Sequence, residues 1–478
     1  MNVLGVILLV FGLTMAFPLA IALLVGDGAL VEFGEGLLVT AVAGALLRLA
    51  TTGKRAELQV RDGFLLVSIG WTALPAFAAV PLMLYLPGLS FTDAYFETAS
   101  GLTTTGATVL TGLDQLPAAI NVWRGQLQWM GGMGIIVLAV AILPLLGVGG
   151  SQLFRAETPG PIKDSKLTPR ITETAKGLWF VYALVTAACI VSLKWAGMTW
   201  LDALIHAFAT MSLGGQSSHD ASYGYWNSPA LEVVTIIFML IAGMNFATHF
   251  LALRKRSLAA YRNDPQMLPY LIVMGVSVVG IALFLWVKGV YPEFSTALRY
   301  AAFNVVSIAT TTGFANTDFN VWPVFAPMVM LLLCCFATCS GSTGAGIKMV
   351  RAELLARQAF REMLRILHPR AYMPVRLGGQ VVENNIIFSV LAFMLVYGVC
   401  IIVITLVLAA SGLDIVTAFS ATIACINNTG PGLNEVGPAT TYASLGDFQI
   451  WLLSFAMLLG RLELITLLVV FTPAFWRK

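Results

Sequence analysis

The chain is 478 residues long, with 27 basic and 24 acidic side chains, 58% hydrophobic residues and 44 glycines. Charged residues make up 11%, against roughly 25% in a soluble domain, which excludes both intrinsic disorder and an ordinary water-soluble enzyme. A net charge of +3 is too small to point to nucleic acid, so a membrane-embedded chain is what remains.

About 20 apolar residues in a helix are needed to cross the hydrocarbon. Ten segments qualify, in chain order 3–25, 36–50, 64–86, 124–148, 177–197, 230–253, 268–288, 323–340, 386–410 and 448–475. The second is short, and the eighth runs into a glycine cluster. The first lacks a basic n-region and a small-residue cleavage site, so it reads as a span and not as a cleaved signal.

With the N-terminus cytoplasmic, the inner connections and the C-terminus collect 22 of the 27 Lys and Arg residues. Arg124, Lys194, Lys288 and Arg299 fall outside, and Arg461 lies within the last span. The positive-inside rule then places both ends in the cytoplasm. Fourteen of the 24 acidic residues lean outward, among them Asp27, Asp93, Asp114, Asp220 and Glu435. An acidic outer mouth concentrates cations.

Four outer connections are long and alike: DAYFETASGLTTTGA from Asp93, DALIHAFATMSLGGQ from Asp202, YAAFNVVSIATTTGF from Tyr300 and TAFSATIACINNTGP from Thr417. Each has alanine second, a small residue eighth, and glycine near its end: Gly106, Gly215, Gly313 and Gly430. A small polar residue precedes each glycine by three places: Thr103, Ser212, Thr310 and Asn427. Recurrence at intervals of 109, 98 and 117 residues marks an internal repeat. It divides the chain into a two-helix extension, 1–60, and four repeats at 61–150, 151–256, 257–367 and 368–478, the third with a broken second helix.

The apolar run in each connection is too short to span, so it is re-entrant. The expected architecture is an all-α integral membrane protein of about ten transmembrane helices. Four helix–pore-loop–helix units surround a central pore, and two extra helices precede them. Non-helical backbone at membrane depth is tolerated where it lines a water-filled path. Four loops around one axis put carbonyl oxygens in a ring, fed by helix C-termini, as a dehydrated monovalent cation requires. A single TTTG would read as a capped turn; four copies read as an ion path.

The segments SGLTTTGAT, MSLGGQ, IATTTGFA and INNTGPGL resemble the filter loops of the Trk/Ktr/HKT superfamily of potassium transporters. The likeness continues through QWMGGMGIIVLAVAILPLLGVGG, STGAGIK and GRLELIT, and the two extra helices favour its TrkH/TrkG branch. The resemblance implies a transporter with no catalytic site, in the bacterial inner membrane. It implies a homodimer with one pore per protomer, and a cytosolic TrkA-type nucleotide-binding regulatory ring. Potassium, the only cofactor-like ion, would be held by Thr104, Thr105, Gly106; Leu213, Gly214, Gly215; Thr311, Thr312, Gly313; and Asn428, Thr429, Gly430. One departure is Gln216, which stands where Phe314 follows the third glycine and puts the packing behind that loop in doubt. The mixed loops imply less sharp rejection of sodium than four identical ones.

Gly341, Ser342, Thr343, Gly344, Ala345 and Gly346 interrupt the eighth span. Lys348 is one place late for a phosphate loop and no strand precedes it, so nucleotide binding is not expected. Three glycines weaken a helix by about 1 kcal/mol each, which gives a kink; the resemblance makes the stretch a gate below the filter. Arg461 inside a span costs at least ~2.5 kcal/mol unless it finds a partner or water. The resemblance places it in the pore beneath the filter, where it would act as a positive barrier; the alternative is that it ties helix ends together through their carbonyls. The stretch from Lys348 to Arg376 holds seven cations and reads as a membrane-edge helix compatible with docking a cytosolic ring.

The rival function is a proton- or sodium-coupled potassium symporter, with Asp93, Glu97, His206, His219 and Asp220 as the nearest titratable groups. A membrane enzyme lacks any HExxH or Gly-x-Ser-x-Gly. The six cysteines sit in or beside apolar runs without metal spacing and read as small buried hydrophobes.

Overall fold

A computed structural model of the chain describes residues 2–52, 60–134 and 171–477. The cations Lys54, Arg55, Arg155, Lys163, Lys166, Arg170 and Lys478, and the inner half of the expected 124–148 span, lie outside the described residues.

Among the described residues, six segments are continuous and apolar enough to cross a membrane: Asn2–Val25, Leu30–Ala50, Arg61–Tyr85, Ala175–Trp195, Met267–Val287 and Asn384–Ala410. They turn large apolar side chains outward, as Leu24, Val276 and Leu395 do, because lipid and not water covers that face. Ala118–Gly132 and Phe325–Cys334 are shorter helices of the interior.

Between the long helices stand Phe91–Leu102, Trp200–Ser212, Phe294–Ala309 and Ile415–Ile426, of 12, 13, 16 and 12 residues. At about 1.5 Å per residue none covers the ~30 Å of hydrocarbon, so each enters and returns. Three begin on a side-chain cap, where Ser90 accepts from the Asp93 amide, Thr199 from Asp202, and Asp414 from Val416 and Thr417. Beyond the first turn they are buried on nearly every side.

Their surroundings repeat. Each short helix packs against the first and second helices of its own repeat and the second helix of the repeat before it. Phe91–Leu102 thus touches Val60–Ala78, Ala118–Gly132 and, from the fourth repeat, Asp447–Arg461. The arrangement closes on itself: the four repeats surround one axis. Asn2–Thr14 and Leu30–Ala50 lie outside this ring and cross closely at Gly5 and Gly44, where a β-carbon on either would fall 2.8 Å from the other's carbonyl oxygen.

Two expected spans are not straight. The 230–253 segment is Pro229–Ala242 followed by Phe246–Lys255, bent by 92°, and the 448–475 segment bends by 109° after Asp447–Arg461. Hydrophobicity runs through both breaks, so periodicity alone reads them as single helices. Among the described residues, helix breaking therefore occurs in repeats two, three and four. Arg461 is the last residue of its helix, not an interior one.

Candidate functional site

The four short helices end in the same backbone turn. The amide of the thirteenth residue of each aligned segment reaches back five residues: Thr105 to Ser100 (2.8 Å), Gly214 to Ala209 (2.8 Å), Thr312 to Ser307 (2.7 Å) and Thr429 to Ala424 (2.8 Å). The twelfth reaches back three: Thr104 to Gly101, Leu213 to Thr210, Thr311 to Ile308 and Asn428 to Cys425, at 2.9–3.2 Å. This pair of bonds is a Schellman ending, which needs a left-handed residue. Thr104, Leu213, Thr311 and Asn428 supply it with φ of 58°, 56°, 63° and 51°. None is glycine, and for the β-branched Thr104 and Thr311 the conformation is strained by of order 1–3 kcal/mol each.

Two residues on, Gly106, Gly215, Gly313 and Gly430 are again left-handed, with φ of 82°, 73°, 87° and 92°. A β-carbon at Gly106 would lie 2.1 Å from the Gly214 carbonyl oxygen, at Gly215 1.9 Å from Thr312, at Gly313 2.1 Å from Thr429 and at Gly430 2.6 Å from Thr105. Each loop thus leans on the carbonyl of the next, and the fourth leans on the first. All twelve residues read from the sequence as ion ligands come together in this ring. Nine are buried, Gly106, Gly215 and Gly313 are partly exposed, and none carries a titratable side chain.

The polar residues three places before the glycines do not line the ring. Thr103, Ser212, Thr310 and Asn427 each bond the carbonyl four residues back, at 2.7–2.9 Å. Thr103 and Thr310 also pair their hydroxyls with Thr105 and Thr312, both at 2.7 Å.

A second set of buried polar groups holds the chain just beyond each glycine. Glu97 accepts from Thr108 Oγ1 and the Val109 amide, His206 meets Ser217 Oγ at 2.9 Å, and Asn304 donates to Asn316 at 2.6 Å. These three occupy the same place on their helices; in the fourth repeat Ser420 does the work through Leu433. Glu97 is also ion-paired to Arg124 at 2.8 Å, both fully enclosed, so Arg124, read from the sequence as an outer cation, is not at the surface. Gln216, the departure from the repeat, donates to Glu97 at 3.3 Å while its amide donates to Gln128. A polar network therefore takes the place of the aromatic packing seen at Phe314, which stacks on His206 and meets Tyr223 edge to face.

The glycine-rich stretch after Cys334 is non-helical and mostly buried, directly against the ring. Thr343 Oγ1 donates to the Met211 carbonyl at 3.0 Å, and the Ala345 amide donates to Thr311 Oγ1 at 3.3 Å. Lys348, itself buried, donates back to the Gly344 carbonyl. On its far side the stretch is stitched to the break in the second repeat, by Phe246 to Gly341 and Cys339 to Gly243. Arg461 reaches the same place from the fourth repeat. Its guanidinium donates to the carbonyls of Gly131, Gly132 (3.0 Å) and Thr343 (3.2 Å) and to Thr104 Oγ1 (3.5 Å), over the Trp71 ring. Glu463, within the break, pairs with Arg351 at 2.5 Å. Gly131 and Gly460 let their helices touch the short helices closely: a β-carbon would fall 1.9 Å from the Leu102 oxygen and 2.1 Å from that of Ile426.

At the end of the bundle from which the short helices enter, the loops after the first two glycines are clamped together. Asp220 accepts from the amides of Gly112 and Leu113, Asp114 accepts from the Asp220 amide, and His219 bridges Asp114 and Asp202. Burial opposes protonation of His219, but the hydrogen bonds and charges of Asp202 and Asp114 outweigh it and raise its pKa.

Gln128 and the Arg351–Glu463 pair are not anticipated by the sequence reading, and Glu97 and Arg124 figure in it only as a nearby titratable group and an outer cation. The available signal was a charged or amide side chain inside an apolar run, which seldom survives there without a partner.

Four re-entrant helices with equivalent endings, set around one axis inside a bundle of long apolar helices, define a multi-pass membrane protein of the pore-loop class. Residues 30–478 match the TrkH family, described as a cation transport protein, and the chain belongs to that family. It is 47% identical to the Trk system potassium uptake protein TrkH of Halomonas elongata over 100% of this chain and 99% of the relative. It is 36% identical to TrkG of Escherichia coli K12, covering 99% and 97%. The crystal structure of the potassium transporter TrkH from Vibrio parahaemolyticus superposes with a TM-score of 0.90 at 42% identity, over 100% of this chain and 98% of that one.

Proposed function

We propose that this protein takes up potassium across the bacterial inner membrane through a pore whose selecting element is the ring formed by residues 104–106, 213–215, 311–313 and 428–430. The observation that carries the reading is the closed succession of glycine-to-carbonyl contacts at the C-termini of four helices. Carbonyl oxygens replace a monovalent cation's hydration shell, and helix C-termini add partial negative charge toward the same point. The relatives, named as potassium uptake proteins, supply the ion.

The buried stretch 341–346 and Arg461 form the gate. Both lie against the ring, and a guanidinium there opposes a passing cation while its bonds to Thr343 hold the stretch in place. Its grip on the Gly131 and Gly132 carbonyls means that the barrier and the tie between helix ends are one feature. The protein works as a homodimer with both termini cytoplasmic. A TrkA-type nucleotide-binding ring acts on the inner face, where Met349–Leu367 presents its cations.

Flux through the purified protein in liposomes, comparing potassium, rubidium, sodium and lithium with and without the partner ring and nucleotide, tests the reading. Potassium and rubidium are expected to pass well ahead of sodium and lithium. Equal passage of all four would reject the ring as the selecting element. A reversal potential that moves with the proton or sodium gradient would replace the channel-like pore with a coupled symporter; the absence of titratable side chains from the ring favours an uncoupled path.

A further inference from the structure

The ring has one gap in its fourfold pattern. At the thirteenth place of the aligned segments stand Thr105, Thr312 and Thr429, but the second repeat has Gly214. The backbone does not require glycine here: Gly214 is absent from the left-handed glycines, unlike Gly215 beside it. Something else occupies the space. A β-carbon at Gly214 would fall 2.5 Å from Cδ of Gln128, a side chain of the preceding repeat's second helix. Gln128 is completely buried. Its amide nitrogen donates to the Gly214 carbonyl at 2.5 Å, and its amide oxygen accepts from the Gln216 amide at 3.1 Å. That same carbonyl is the one on which Gly106 leans.

We propose that Gln128 is a positioning residue for ion selectivity, which stands in across the repeat boundary for the side chain missing at Gly214 and fixes the direction of the Gly214 carbonyl. In the first and third loops the threonine at this place is itself anchored, hydroxyl to hydroxyl, by Thr103 and Thr310. In the second loop the anchor comes from outside and grips the backbone on both sides of Gly215. The second repeat thus contributes an oxygen held by a neutral amide donor, which lowers that oxygen's pull on a cation relative to its three counterparts. Glycine at 214 and glutamine at 128 are one unit: the small residue is there because the large one fills its place. The proposal rests on the ring being the selecting element.

The test is the potassium-to-sodium permeability ratio from bi-ionic reversal potentials in liposomes, for the parent protein and for Gln128→Met, Gly214→Thr, Gln128→Ala and Gln128→Ala/Gly214→Thr. Monodisperse elution and an unfolding midpoint are recorded for each. Gln128→Met keeps length and bulk but loses both hydrogen bonds, so the ratio is expected to change by about tenfold, the equivalent of one well-made bond to a buried carbonyl. Gly214→Thr alone collides with Gln128 and is also expected to lose the parent ratio. The double variant, with space for the threonine and Ser212 beside it as Thr103 is beside Thr105, is expected to move back toward the parent. A parent-like ratio in Gln128→Met, or a double variant no closer to the parent than Gln128→Ala, would overturn the proposal while leaving the ring intact. A parent protein with no preference between potassium and sodium would overturn both.

Discussion

Glu97 and Arg124 meet at 2.8 Å with neither side chain reaching solvent, one on the first short helix and the other on the helix that follows its loop. The pair is fully committed: Glu97 also receives Thr108, Val109 and Gln216, and Arg124 donates to the Ser217 carbonyl at 2.9 Å. It therefore ties the first two loops together behind the ring.

Removing one partner leaves an uncompensated buried charge, which costs about 3–5 kcal/mol. Glu97→Ala and Arg124→Ala are each expected to lower the unfolding midpoint in detergent sharply. Glu97→Leu/Arg124→Met, which removes both charges and keeps the volume, is expected to be less destabilised than either. A double variant worse than both singles would contradict the account of the pair.

Serine at Gly313 meets two obstacles, a φ of 87° and the Thr429 oxygen 2.1 Å from its β-carbon. The left-handed conformation alone costs roughly 1–2 kcal/mol, and the collision forces the third and fourth loops apart. Gly313→Ser and Gly430→Ser are expected to reduce potassium preference by about tenfold or more. Gly112→Ala has a similar φ of 70° but faces open space, and is expected to keep the parent's preference. The reversal potential between potassium and sodium distinguishes these outcomes.

Neutralising Arg461 removes both the charge beneath the ring and the bonds that hold Thr343 to Gly131 and Gly132. Arg461→Gln is expected to raise potassium flux in the absence of any partner, by several-fold, since ~1 kcal/mol of barrier is about a factor of five. Unchanged or lower flux in a well-folded variant would count against a barrier at this position.

The repeat was legible because four separate chemical demands recur in register. Alanine lets the short helix pack, the small eighth residue takes the bond that returns from the turn, the polar residue bonds back to its own helix, and the fourteenth supplies the left-handed glycine. Gly106, Gly215, Gly313 and Gly430 announced themselves in this way. The bends at Gly243–Asn245 and after Arg461 did not, because Met239–Ala242 and Leu464–Leu468 are as apolar as unbroken helix; only Asn245, which caps the next helix by accepting from the Ala247 amide at 2.9 Å, marks the first break. Gln128 was beyond reach for another reason. Its meaning depends on a vacancy 86 residues further along, and no local pattern connects an amide on one helix with a glycine in the next repeat. Gln216, read as a defect in packing, proved to be part of the same network.

The clamp responds to pH in a direction set by its shifted groups, with His219 raised and Asp114 and Asp202 lowered. His219 has a raised pKa, so its contribution is complete below the unfolded value of about 6.5 and is lost as pH rises through the folded one. Asp114 is lowered: burial opposes this, but the hydrogen bond from His219 and its charge prevail, so its contribution is lost only as pH falls through that lowered value. The clamp is strongest between the two, on the mildly acidic side of neutrality. Asp202 and Asp220 face the same imidazole region, and Tyr225 stacks on it at 3.7 Å. Hydrogen exchange at residues 112–114 and 217–220 is expected to accelerate, beyond its intrinsic pH dependence, as pH rises past the His219 pKa. In His219→Gln that excess is expected to vanish; if it persists, His219 does not control the clamp.

The central claim is that the four loops form one cation site. Its most direct measurement is anomalous diffraction from crystals of the protein grown in rubidium or thallium, with sodium-grown crystals as the reference. The account predicts ordered anomalous density on the axis, within coordination distance of carbonyl oxygens from all four loops, and its loss in Gly313→Ser. Density elsewhere along the path with none inside the ring, or equal occupancy in the parent and in Gly313→Ser, would contradict it.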